Sequence, residues 1–127
     1  MVGYYIDVDP VRFPDLTPGA TNLVRVFAGI TEHWSPVVIA ELNGQQVKAV
    51  KFRGEFHWHH HAREDEMFLV HRGRFTMHFR DRAVTLEAGE FIVVPRGVEH
   101  RPVAAEEVEV ILFEPATTVR TGDTELT

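Results

Sequence analysis

The amino-acid sequence predicts an all-β fold of the sandwich or barrel type, on three observations. From Val37 to Glu114 the chain falls into eight short apolar or alternating runs. Glycine, proline and charged clusters separate them at a spacing of roughly 8–12 residues, the rhythm of strands joined by turns. Asn43-Gly44 stands between the first two runs, and this pair tolerates the positive φ angles of a tight primed hairpin turn.

The elements follow in order. Residues 1–20 carry Pro10, Pro14, Pro18 and Gly19 and read as an extended arm. Leu23, Val26, Phe27, Ile30 and Trp34 come next at helical spacing, with Thr21 or Asn22 to cap the start and Pro36 after the end. A short amphipathic helix is expected there. Strands are expected at VVIAEL, QQVKAVKF, FHWHHH, EMFLVH, RFTMHF, AVTLE, FIVVP and VEVILFE. The tail after Pro115, ATTVRTGDTELT, is polar, and is either loose or packed on a partner subunit. The expected organisation is one domain: an arm and helix over 1–36, a barrel over 37–114 and a tail over 115–127.

Composition narrows the function. The formal net charge is −6, with basic residues scattered among acids, so nucleic acid is not an expected partner. No apolar run approaches the roughly 20 residues of a membrane span, and Met1–Asp9 is not the basic leader of a secretory signal. The chain has no cysteine. Disulfides, thiolate ligands and a cysteine nucleophile are therefore excluded, and any metal must be held by nitrogen and oxygen. A cytoplasmic location is the expectation.

Histidine is concentrated in GEFHWHHHAREDE, residues 54–66. If residues 56–61 are extended, His57, His59 and His61 share one face, and Phe56, Trp58 and His60 the other. His59 and His61 then stand about 6–7 Å apart at Cα, within reach of one ion. Glu66 opens the next strand after a four-residue connection and returns beside them if the two strands pair antiparallel. Two histidines and a carboxylate on one side of a metal leave coordination positions open, which suits an enzyme better than a closed structural site. An H-x-H pair is also compatible with ordinary surface or core histidines. His57 is expected at the pocket rim, a candidate base only weakly placed. His33, His60, His71 and His78 are assigned to surface or packing.

A second pattern, GEFIVVPRGVEH, runs from Gly89 to His100. Taken together the two stretches resemble the cupin superfamily, in its small single-domain "cupin 2" form. His59, His61, Glu66 and Gly73 match the end of the first cupin motif, and Gly89, Pro95, Gly97 and His100 match the second in order and spacing. Gly54 lies one residue too close to His59 for the first motif, and Ala104 stands where the second motif ends in asparagine. The resemblance covers about residues 37–114. It implies a double-stranded β-helix, or jelly roll, with a metal near one mouth. It also implies that His100 joins His59, His61 and Glu66 as a fourth ligand, and that the protein is a homodimer.

One divalent transition metal per chain is expected, iron, manganese, zinc, nickel or copper, its identity depending on supply. Phe68 and Val70 share the parity of Glu66 and should face inward. Met77, Phe91 and Phe113 are further candidates for an apolar pocket suited to a small organic ligand, with Phe75 and Phe79 beside them. Three readings follow. The favoured one is a metal-dependent oxidoreductase resembling an Fe(II) dioxygenase. The others are a non-redox lyase or isomerase, and a non-catalytic module that binds a metabolite or metal.

Overall fold

The computed structural model describes residues 19–123. The expected N-terminal arm, except for residues 19 and 20, lies outside the described residues. These hold one helix, α1 (Leu23–Ala28), and seven strands: β1 (Val37–Leu42), β2 (Gln45–Glu55), β3 (Glu66–Arg72), β4 (Arg74–Phe79), β5 (Ala83–Glu87), β6 (Phe91–Val94) and β7 (His100–Pro115). The sheet order is β1-β2-β7-β3-β6, with β4 joined to both β5 and β7. Every named strand pairing is antiparallel. The fold is the jelly-roll barrel that the sequence pattern predicts.

Asn43 and Gly44 have φ of 52° and 77°, as a primed turn requires, and join β1 to β2. The 16-residue β7 is the spine of the molecule. Its C-terminal half lies between β2 and β3, while His100–Val103 pair with β4. Gly73, at the β3–β4 corner, has φ 94°, and a Cβ there would stand 3.1 Å from the Glu107 carbonyl oxygen. The corner can cross β7 this closely only without a side chain.

Two sequence expectations are corrected. First, residues 56–61 form no strand; His59 alone is bridged, to His100. The β2–β7 register slips between Phe52 and Gly54, where Gly54 has φ 90°, and β2 ends at Glu55. The displaced motif glycine is thus the residue at a bulge. Its partner across the ladder is Ala104, 1% exposed, which packs where a larger polar side chain was expected. Second, the helix stops at Ala28 and does not reach Trp34. Asn22 caps its start by accepting from the Arg25 N–H, and the Gly29 N–H turns back to the Val26 and Phe27 carbonyls. Trp34 takes φ 60°, incompatible with a continuing helix.

A helix of six residues does not stand alone in water. Phe27 and Ile30 hold it by packing with Ala49 and Ile111 outside the barrel, each large apolar side chain contributing about 1.5–3 kcal/mol. The larger core fills the barrel: Phe52, Phe68, Phe75, Met77, Val110 and Leu112 are among its members. The described part of the tail folds back over residues 57–62. The Asp123 N–H donates to the His60 carbonyl, and the Asp123 carboxylate accepts from the Ala62 N–H.

Candidate metal centre

Residues 56–61 are not a strand, and the expected alternation fails for His57, which is exposed, and for Phe56, which lines the same cavity as His59. His59 and His61 are 6% and 3% exposed, whereas His60 is half-buried. His100 begins β7 and is fully buried, and Glu66 begins β3 and is 6% exposed. The His59–His100 bridge is a reciprocal pair of backbone hydrogen bonds of 3.1 and 2.9 Å. Glu66 does not arrive through a hairpin with the histidine segment, because β3 pairs with β6 and β7 instead. It reaches the histidines across the barrel interior.

The four side chains converge. One ring nitrogen from each of His59, His61 and His100 lies within 4.8 Å of the other two. Glu66 Oε1 is 3.2 Å from His61 Nε2 and 3.7 Å from His100 Nε2. His59 Nδ1–H donates to the His57 carbonyl at 3.0 Å, and His100 Nδ1–H to the Val98 carbonyl at 2.9 Å. A carbonyl can only accept, so the proton is on Nδ1 in both rings and each Nε2 lone pair is left to bind a cation. His61 Nε2, His100 Nε2 and Glu66 Oε1 are buried without a hydrogen-bond partner. Orphaned buried polar atoms are costly, and three on one point fit a shared cation. Nitrogen and oxygen donors of this type fit a divalent transition metal. A second group, His61 with Glu64 and Asp123, also lies within 4.8 Å. Its carboxylates are engaged by Thr117 Oγ1–H and the Ala62 N–H.

The electrostatics favour cation capture. Burial, then the neighbouring His100, pull the His59 imidazole down to about 4, so it is uncharged at neutral pH. Burial alone would raise Glu66, but the imidazoles of His100 and His61 and the Glu114 carboxyl hold it well below the usual carboxylate range. Glu114 is the partner that sequence reasoning missed. It is 2% exposed, and burial, then the Glu66 carboxylate, push it up to about 9 against the pull of Lys48. Lys48 Nζ donates to Glu114 Oε2 at 2.5 Å. A signal was present: Glu114 shares the inward parity of Val110 and Leu112, so VEVILFE ends with a charge on its buried face.

A cavity of about 30 Å³ opens beside the histidines, with His59, Glu66, Phe68 and Glu114 in its wall. Trp34 lies over it, stacked on Phe52 and Phe56 at 4.5 and 4.8 Å between ring centroids. Phe68 is therefore a wall residue, while Val70 and Met77 are buried in the core and outside the lining. Phe91 and Phe113 do not line it. Phe68 and Glu66 pair with Ile92 and Val94, which leaves Phe91 on the outer face and 62% exposed. Phe113 has the opposite parity to Leu112 and Glu114 and pairs with Val47 and Met67 outside the barrel. His57 is outside as well: its Nε2–H donates to the Thr121 carbonyl at 2.9 Å, so it is no base for this pocket. The half-buried His71 and His33 pair with Glu109 and Glu107 on the surface.

A jelly roll with three imidazoles and a carboxylate converging inside one mouth defines a class of metal-binding barrel. Residues 49–123 match the family described as Cupin domain, and the chain belongs to the cupin family. It is similar to a cupin-2 domain containing protein of Shewanella frigidimarina, at 49% identity and a TM-score of 0.74, over 75% of this chain and 93% of that one. It is also similar to protein NMB1881 of Neisseria meningitidis, at 32% identity and a TM-score of 0.71, over 77% of this chain and all of that one. The uncharacterized protein YdbB of Bacillus subtilis is 33% identical over 81 residues, 63% of this chain and 72% of that one. Among the described residues no helix is long and apolar enough to cross a membrane.

Proposed function

We propose that this cupin is a metal-dependent enzyme acting on a small organic molecule, of the oxygen-activating, dioxygenase-like kind. The observation that carries the reading is the meeting of orphaned His61, His100 and Glu66 atoms with an aromatic-walled cavity. His59, His61, His100 and Glu66 are the residues that hold the ion. A divalent cation there supplies Lewis acidity and, as iron, the capacity to engage oxygen. The protein's own contributions are distinct. The two Nδ1–H bonds fix the imidazole orientations, and Trp34, Phe52, Phe56 and Phe68 keep bulk water from the site. The exposed Val37, Val38 and Leu42 along the β1 edge support a homodimer.

The test is oxygen consumption by iron-loaded protein against a panel of β-diketones, thiols and catechols. Uptake with one class supports the reading; none across the panel, with iron bound, removes it. One observation favours a second reading, a lyase or isomerase. Glu114 is a carboxyl group facing the cavity beside Glu66, a position from which a proton could be exchanged with a bound ligand. Anaerobic turnover by the zinc or nickel form would select it.

A further inference from the structure

Glu114 is the polar group of the cavity that the metal centre leaves unassigned. Its two oxygens have different surroundings. Oε2 is held by Lys48 Nζ at 2.5 Å, while Oε1 is buried and has no hydrogen-bond partner. Glu114 lines the same cavity as His59 and Glu66 and is 2% exposed. Lys48 is itself 9% exposed, so the contact is buried rather than loosely solvated. From these facts we infer that Glu114 Oε1 determines ligand specificity, hydrogen-bonding to a hydroxyl that the ligand carries next to its metal-binding oxygen.

The dimensions agree. The cavity, about 30 Å³, has room for an inserted hydroxyl group. A larger body must rest at the mouth, where Pro36, Phe56 and Pro102 give apolar contact and Arg120 a positive charge. The ligand class is therefore a compact molecule with a hydroxyl at its inserted end, a 2-hydroxy carboxylate being the simplest case. A ligand lacking that hydroxyl leaves a buried carboxyl oxygen unsatisfied, which is where discrimination arises.

The inference rests on the metal-centre reading, and the experiment separates the two. Cobalt(II) is added to the metal-free protein and its visible absorption bands are recorded. Glycolate and acetate are then titrated against those bands in wild type, E114Q and the K48M/E114L pair, which removes both polar partners. The expected result is a loss of glycolate affinity of about 10-fold or more in K48M/E114L, with acetate affinity changed less than about twofold and E114Q in between. Equal loss for both probes, or unchanged glycolate binding, overturns the inference and leaves the metal centre standing. Absence of cobalt bands in wild type overturns both. Thermal melts of each variant establish that the fold is kept.

Discussion

The Cα of Gly122 lies directly against His59: a Cβ there would stand 2.7 Å from His59 Cβ and 3.0 Å from the His60 carbonyl oxygen. The returning tail is thus part of the wall behind a candidate metal ligand. Gly122 also has φ 89°, which an L side chain adopts only under strain. Gly122→Ala is expected to destabilise by about 1–3 kcal/mol. It is also expected to weaken metal binding, because His59 must shift. Urea unfolding and calorimetric titration of the metal measure the two effects; wild-type affinity would show that the tail does not position the ligand.

Single alanine replacements separate the inward from the outward histidines. His59→Ala, His61→Ala and His100→Ala should lower bound metal sharply, while His60→Ala should keep a full complement. Elemental analysis of protein purified without a metal-affinity step is the measurement. An empty His60→Ala site beside a filled His61→Ala site would mean that the alternation is out by one residue.

The metal-free protein should lose stability in mild acid. His59 is held at about 4 against an ordinary 6.5, so the unfolded chain binds a proton more readily than the folded one. The stabilisation is complete above pH 6.5 and is lost as pH falls from 6.5 through 4, by up to about 3 kcal/mol. His59→Gln should flatten that part of the profile of urea midpoint against pH. An equal slope in the variant would assign the effect to other groups.

The Lys48–Glu114 pair gives a contrast between single and double replacement. Lys48→Met leaves the buried Glu114 Oε2 without its hydrogen-bond donor and should cost about 1–3 kcal/mol. In K48M/E114L both polar groups go, and most of that loss should be recovered. Equal destabilisation of the two variants would show that packing of the Lys48 stem matters more than its charge.

Parity made part of the site legible, failing for His57, which is exposed, and for Phe56, which lines the cavity. His59, His61 and Glu66 were placed inward by alternation, and their burial at 6%, 3% and 6% agrees even though residues 56–61 form no ladder. Parity was less informative where the sequence offered no anchor for the inward face. In β6, FIVV is apolar throughout, and only pairing with β3 shows that Ile92 and Val94 face in and Phe91 out. Phe113 differs, because it shares the outward parity of Glu109 in the same strand, a signal that was present in the sequence. Trp34 was assigned to a helix by spacing, yet its left-handed backbone sends it over the cavity, and nothing local encodes that. The Lys48–Glu114 contact joins residues 66 apart in sequence and depends on the β2–β7 register.

The bridge between His59 and His100 also bears on how the protein is made. Its two members are 41 positions apart in the chain and meet only after β3 to β6 have been laid down between them. Loop closure on that scale comes late, since its entropy is repaid only by long-range contacts. A cation held there would therefore find its complete cage only in a chain that is already nearly assembled. It would act as a latch on the finished barrel, slowing its opening, rather than as a seed around which the polypeptide gathers.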